Sequence, residues 1–221
     1  MASQFIHITL PDGTRKQVPA GCTVREALTP EGGRLDAKVL AAKINGEPMD
    51  LSRPLEQDAT IEPLTFESAE GREVYRHSST HIMAQAVKEV FPTAQLTIGP
   101  ALDDGFYYDF AFDRPFTPED LEKIEARAIE IMKRGLTVTR SELSKQDAIK
   151  FFQERGEGYK VELINSFDDA SPISLYRQGE FVDLCRGPHL PTTGYVGAFK
   201  LLSTGGAYWR GDERNPMLQR V

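Results

Sequence analysis

Three of the four histidines and one of the two cysteines fall in two short stretches of the chain. His77 and His81 lie four apart in the run from Val74 to Phe91, which the pattern predicts as one helix ended by Pro92. At 3.6 residues per turn, their imidazoles stand about 40° apart and point the same way. The second stretch runs from Asp183 through Cys185 to His189, where Gly187-Pro188 forbids regular helix and bends the chain between thiol and imidazole. Imidazole nitrogen and thiolate sulfur are preferred ligands of zinc, and His77, His81, Cys185 and His189 would complete a tetrahedral set. The same groups without metal could orient a water. Both arrangements would be hydrolytic. A zinc protease is disfavoured, because Ser78 stands where the HExxH pattern needs its glutamate. The helical pair alone could equally be hydrogen-bonded core polar groups, so the reading leans on the two stretches converging.

Several elements must position these residues. The apolar positions of the histidine helix, Ile82, Met83, Ala86, Val87, Val90 and Phe91, form a stripe centred well round from the imidazoles, which are expected to flank the core face. Ahead of it, residues 4–10 alternate as a strand, Pro11-Asp12-Gly13 turns into a second strand near Arg15 to Val18, and Thr23 to Glu26 fits a capping box opening a short helix. Val39 to Ile44 and Ala59 to Leu64 read as strands, with Asn45-Gly46 a tight turn. The order ββαββ suggests a ubiquitin-like β-grasp domain over residues 1–64, in which His7 stands alone. Thr65 to Gly71 is the expected boundary.

Residues 65–221 then read as a second domain. Leu96 to Phe110 is a hairpin around Asp103-Asp104-Gly105 that carries Phe106, Tyr107 and Tyr108. A helix follows with Thr117 as N-cap, Pro118 in its first turn and Gly135 as its stop. Leu136 to Leu143 is a strand candidate, and Ser144 caps a helix running to Gly156. Strands are expected at Tyr159 to Ile164, Ile173 to Tyr176, Phe181 to Leu184, Tyr195 to Leu202 and Ala207 to Arg210. Helices on a mainly antiparallel sheet make this domain, and the chain, α+β.

Composition excludes little else. With 40% hydrophobic and 27% charged residues, the 221-residue chain has an ordinary globular balance. It has no apolar run near the roughly 20 residues that span a bilayer and no signal-peptide pattern, so a cytoplasmic, membrane-free protein is expected. Cys22 and Cys185 fall in separate expected domains and should be reduced thiols. A net charge of −7 argues against gripping nucleic acid by bulk electrostatics. From Cys185 onward, however, Arg186, Lys200, Arg210, Arg214 and Arg220 face only Asp212 and Glu213, which leaves a local anion-facing surface open.

The strings Arg76 to His81, Ile98-Gly99-Pro100 with Gly105 to Asp109, Gly158-Tyr159-Lys160, Val182 to His189 and Gly205 to Asp212 resemble the amino-terminal half of bacterial-type threonyl-tRNA synthetases. The first domain is similar to that family's TGS module. The resemblance implies that the second domain edits: it would hydrolyse seryl-tRNA(Thr), because serine differs from threonine by one methyl, a difference worth only about 1–3 kcal/mol in a binding site.

Carried onto this chain, the resemblance implies that His77, His81, Cys185 and His189 line the pocket, with Lys160 and Asp183 beside them. The imidazoles would position or activate the water. Lys160 would offset negative charge or hold the tRNA end, and Asp183 would orient a partner or the substrate ammonium. Tyr107 would help to shape the pocket. From the residues alone, Lys160 reads as a solvated lysine. The pocket is expected to work without metal, with zinc on the four His and Cys residues as second choice, as a related pattern in alanyl-tRNA synthetase editing domains implies.

The parent would be a homodimeric threonine–tRNA ligase using ATP, magnesium and a zinc of its catalytic core, all outside these residues. The fragment itself is expected to be monomeric, with the acceptor end of tRNA(Thr) carrying serine as its partner. Two alternatives stay open. They are a free-standing trans-editing deacylase and a non-enzymatic RNA- or nucleotide-binding regulatory module.

Overall fold

The computed structural model describes residues 4–168 and 171–221. The chain divides into two compact units, Met1–Tyr75 with Gly187–Pro191, and Arg76–Arg186 with Thr192–Val221. No helix among the described residues is long and apolar enough to cross a membrane.

The first unit is a β-grasp built from β1 (Phe5–Thr9), β2 (Arg15–Pro19), α1 (Val24–Leu28), β3 (Val39–Ile44), β4 (Glu47–Met49) and β5 (Ala59–Thr65). Its sheet runs β2-β1-β5-β3-β4, with β1 and β5 parallel and the other pairs antiparallel. Alternation puts Ile6, Ile8 and Ile61 on the face that α1 covers with Val24, Ala27 and Leu28. Thr23 and Glu26 form the reciprocal capping box that starts α1. Asn45 and Gly46 both take positive φ, 51° and 92°, as a two-residue hairpin turn requires. That turn leads into β4, a fifth strand absent from the ββαββ expectation, because three residues with Pro48 among them carry no strand pattern.

The long helix α2 spans Ala69–Val90, so it begins inside the segment expected to be a boundary. Gly71 makes this start possible: a Cβ there would lie 1.8 Å from the Thr65 carbonyl oxygen. Further along, the ten residues from Ser78 to Val87 are all buried. The amphipathic expectation therefore needs correction, since this stretch of α2 is buried on every side and His81 lies in it at 4% exposure. Small side chains make this tolerable, with Thr80 returning its hydroxyl to the His77 carbonyl at 2.7 Å.

The second unit contains β6 (Gln95–Leu96), β7 (Asp109–Ala111), α3 (Pro118–Arg134), β8 (Val138–Leu143), α4 (Lys145–Gln153), α5 (Gly158–Asn165), β9 (Ile173–Gln178), β10 (Phe181–Leu184), β11 (Gly205–Tyr208) and β12 (Met217–Arg220). Two antiparallel sheets result, β10-β9-β8 and β11-β12-β7-β6. Ala148 and Phe152 of α4 and Ile164 of α5 pack on Ile173 and Leu175 of β9. Helix α3 starts at a Thr117 capping box with Asp120 and stops at left-handed Gly135, φ 58°.

Two expected strands are corrected. Tyr159 to Ile164 is α5: Tyr159, Val161 and Leu163 alternate but are only half-buried, whereas Glu157, Lys160 and Ile164, at spacings of three and four, are buried. Tyr195 to Leu202 forms no strand either. A 3₁₀ turn occupies Thr193–Tyr195, and the Leu201 amide and Lys200 ammonium both donate to the Glu125 carboxylate of α3, at 2.9 and 2.8 Å. The chain becomes regular again in β11 and in β12, which was not anticipated.

Candidate active site

A cavity of about 710 Å³ opens in the second unit, and chemistry-bearing side chains from four parts of the chain line it. α2 supplies His77 and His81, the segment leading into β7 supplies Tyr108, α5 supplies Lys160, and β10 with its continuation supplies Asp183 and Cys185. Asp183 and Cys185 are two apart on extended chain, so both project from one face. Pairing with β9 persists one residue past β10: the Cys185 amide donates to the Ser174 carbonyl at 3.2 Å, and the Ser174 hydroxyl to the Cys185 carbonyl at 2.5 Å.

The floor is a buried charge network. The Lys160 ammonium lies 2.6 Å from Asp183 Oδ1 and donates to the Tyr108 hydroxyl at 2.9 Å, while that hydroxyl donates to Asp183 Oδ2 at 2.7 Å. The Leu184 amide also donates to Oδ1, at 2.7 Å. Tyr108, Lys160 and Asp183 are each no more than 2% exposed. Gly99 admits the tyrosine ring against the main chain, because a Cβ there would stand 2.2 Å from Tyr108 Cδ2. Beside the network, His81 Nε2 is 3.8 Å from Asp183 Oδ2. The His77 and His81 rings meet edge to face with centroids 5.6 Å apart, and His77 Nε2 lies 3.2 Å from Cys185 Sγ.

Burial decides the protonation states. Desolvation drives His81 down to about 3, against the pull of Asp183, and lowers His77 in the same sense. Both imidazoles are therefore neutral at physiological pH, each with a ring nitrogen able to accept a proton. For Asp183, burial pushes the pKa up, but Lys160, His81 and the hydrogen bonds outweigh it and hold the carboxyl below its usual range. Burial and the neighbouring Asp183 push Tyr108 well above an ordinary phenol. The cavity thus pairs neutral bases with a fixed ammonium, a combination suited to activating a water and neutralising a developing oxyanion.

Six residues of the second unit thus line one cavity: His77, His81, Tyr108, Lys160, Asp183 and Cys185. Lys160 is a buried member of the floor, where residue-level reading makes it solvated. Tyr107 is not among the lining residues; its ring stacks under the Arg220 guanidinium at 3.7 Å, and the adjacent Tyr108 lines the cavity instead. Neighbours on extended chain face opposite ways, so alternation separates the two tyrosines without saying which of them faces the cavity. His189 stands in the Gly187–Pro191 segment of the first unit, 2% exposed, with its amide donating to Asp50 Oδ1 at 2.7 Å. Neither Cys22 nor Cys185 is in a disulfide among the described residues. Within the second unit, His77, His81 and Cys185 offer ligand atoms all within 4.8 Å of one another, and two neutral imidazoles with a sulfur are donors that fit zinc.

Comparison with known proteins gives these residues a setting. Residues 6–65 match the TGS domain, and residues 173–221 match the threonyl and alanyl tRNA synthetase second additional domain. The chain is 54% identical over 219 residues to a threonine–tRNA ligase of Symbiobacterium thermophilum, which covers 99% of this chain and 34% of that protein. Threonine–tRNA ligases of Citrifermentans bemidjiense and Acidithiobacillus ferrooxidans are each 54% identical as well, over 98% and 97% of the chain and 34% and 33% of their own lengths. The chain spans about a third of the length of the curated relatives it matches.

Proposed function

We propose, on the premise that this chain corresponds to the TGS and second additional domains of a threonine–tRNA ligase, that its cavity hydrolyses seryl-tRNA(Thr) and so proofreads translation in the cytoplasm. The observation that carries the reading is the convergence of two neutral imidazoles on a buried Lys160–Asp183–Tyr108 floor within one cavity. The need is physical. A synthetic site that hydrogen-bonds the threonine hydroxyl accepts serine too, and a missing methyl costs only about 1–3 kcal/mol, so a second, hydrolytic site supplies the remaining discrimination.

Water attacks the ester carbonyl that joins serine to the terminal ribose. His77 takes its proton, because it is the half-buried imidazole of the pair, whereas His81 is 4% exposed beside Asp183. Lys160 offsets charge on the tetrahedral oxygen. The C–O bond then breaks, and the proton passes to the ribose oxygen, giving free serine and tRNA. Asp183 is engaged by Lys160, Tyr108 and the Leu184 amide, which favours orienting Lys160 over binding the substrate ammonium. A cavity of about 710 Å³ has room for the terminal nucleoside as well as serine, so refusal of threonine falls to local contacts around the side chain.

The test is hydrolysis of seryl- and threonyl-tRNA(Thr) by the 221-residue chain and by its His77→Ala, Lys160→Ala and Cys185→Ala variants. Faster loss of serine than of threonine, with each variant slowed, supports the assignment; wild-type rates in all three variants remove it. A zinc-bound pocket is the second reading, favoured by the close His77, His81 and Cys185 ligand atoms; the ion would polarise the ester carbonyl or the water. The whole protein would charge tRNA(Thr) with threonine as a dimer using ATP, magnesium and a core zinc. Fast hydrolysis by this chain alone would instead favour a trans-editing deacylase. RNA binding without hydrolysis, undiminished by loss of residues 65–221, would favour a regulatory module.

A further inference from the structure

Helix α5 carries Lys160, yet its preceding residue, Glu157, caps it with no side-chain bond of its own. The Glu157 side chain reaches away from the helix and is only 4% exposed. Its Oε2 accepts the Leu96 amide of β6 at 2.7 Å, and its Oε1 pairs with the Lys88 ammonium of α2 at 2.7 Å. Lys88 also donates to the carbonyls of Pro92 and Ala94, at 3.0 and 2.8 Å, and the Gly158 amide donates to Gln95 Oε1 at 3.2 Å. Residues 95 and 96 thus exchange side-chain and main-chain hydrogen bonds with residues 157 and 158. One junction fastens the start of α5 to the helix that bears His77 and His81 and to the hairpin that bears Tyr108.

We infer that Glu157 is the positioning residue for Lys160, a role that rests on the hydrolytic reading above only for its effect on rate. Lys160 lies one helical turn beyond this junction, and its amide donates to the Glu157 carbonyl at 3.1 Å. Any rotation of α5 at its first turn therefore moves the ammonium directly. The Glu157 carboxylate bonds to Leu96 and Lys88, not to the floor network, so it places Lys160 through α5, although its charge also helps to raise Tyr108.

Glu157→Gln keeps an acceptor for the Leu96 amide but removes the charge that Lys88 meets. For the 221-residue chain on seryl-tRNA(Thr), kcat is expected to fall about 10- to 100-fold with KM within about twofold, the size of effect that an ångström-scale misplacement produces. In a Lys160→Ala background the same change should add nothing. Independently of activity, Lys160, 2% exposed, should resist acetylation by an amine-reactive ester in the wild type and become labelled in the variant, as read by mass spectrometry. Unchanged Lys160 protection, or multiplicative losses in the double variant, would overturn the role. If the wild type hydrolyses nothing, the proposed function falls while the labelling still decides the inference. Should Glu157→Gln fail to fold, Gln95→Ala, which cuts only the Gly158 link, gives the same labelling readout at lower amplitude.

Discussion

Lys160 Nζ and Asp183 Oδ1 lie 2.6 Å apart with their side chains 3% and 1% exposed, one from a helix and the other from a strand. Such a pair stabilises modestly as a whole but heavily penalises the loss of one member, because the survivor stays buried without its counter-charge. Lys160→Met should therefore lower unfolding free energy by about 3–5 kcal/mol, and Asp183→Asn added to it should recover much of that loss. Urea denaturation of the single and double variants measures both. A single variant within about 1 kcal/mol of wild type would mean the pair is solvated.

Acid should weaken the protein in two successive windows. His81 is held near 3 in the fold, whereas an unfolded histidine titrates near 6.5, so the unfolded chain binds more protons between those values. Stability is then full above about 6.5 and falls on acidification by up to about 1.4 kcal/mol per pH unit from this one group. His77 adds to the loss, since burial lowers it too. For Asp183, depressed in the fold by Lys160 despite burial, the contribution is present above an unfolded value of about 3.9 and disappears as pH drops through the folded one. Urea midpoints from pH 7.5 to 4 should decline, and His81→Gln should flatten the upper part of that decline. A midpoint constant from pH 7.5 to 4.5 in the wild type would contradict this.

Much of the fold was legible because its signals are local. Thr23 with Glu26 and Thr117 with Asp120 start helices through contacts three residues apart, and Gly135 ends one through its own φ. The TGS-like unit and the histidine helix could be read the same way. Helix α5 could not, since its buried positions include Glu157 and Lys160, charges that pattern reading assigns to solvent and only partners on α2, β6 and β10 make tolerable. Strand β12 escaped notice for a related reason: four residues hold it by pairing with β11 and β7. At the site, the types and spacing of His77, His81, Asp183 and Cys185 were visible in the text. Choosing Tyr108 over Tyr107 required the hairpin's register, which no local signal supplies.

That register makes the two tyrosines an internal control. Tyr108→Phe deletes the hydroxyl that accepts from Lys160 and donates to Asp183, which should cost about 1–3 kcal/mol and slow seryl-tRNA hydrolysis. Tyr107→Leu removes only the ring under Arg220, a contact worth about 0.5–1 kcal/mol, and should leave hydrolysis near the wild-type rate. Thermal melts and single-turnover rates of the two variants separate the roles. Equal rate losses would mean that the hairpin, not the Tyr108 hydroxyl, is what matters.

Metal dependence separates the two chemical readings of the same side chains. If the imidazoles act directly on water, dialysis against a chelator should leave seryl-tRNA hydrolysis unchanged, and added zinc should slow it by capturing His77, His81 and Cys185, whose ligand atoms lie within 4.8 Å of one another. If zinc is resident, chelation should abolish hydrolysis and lower the melting temperature together, since ligation at a preformed site stabilises the fold by mass action. Elemental analysis of the purified chain beside the rate before and after chelation reads both effects. Stoichiometric zinc whose removal stops hydrolysis would replace the metal-free mechanism with a Lewis-acid one.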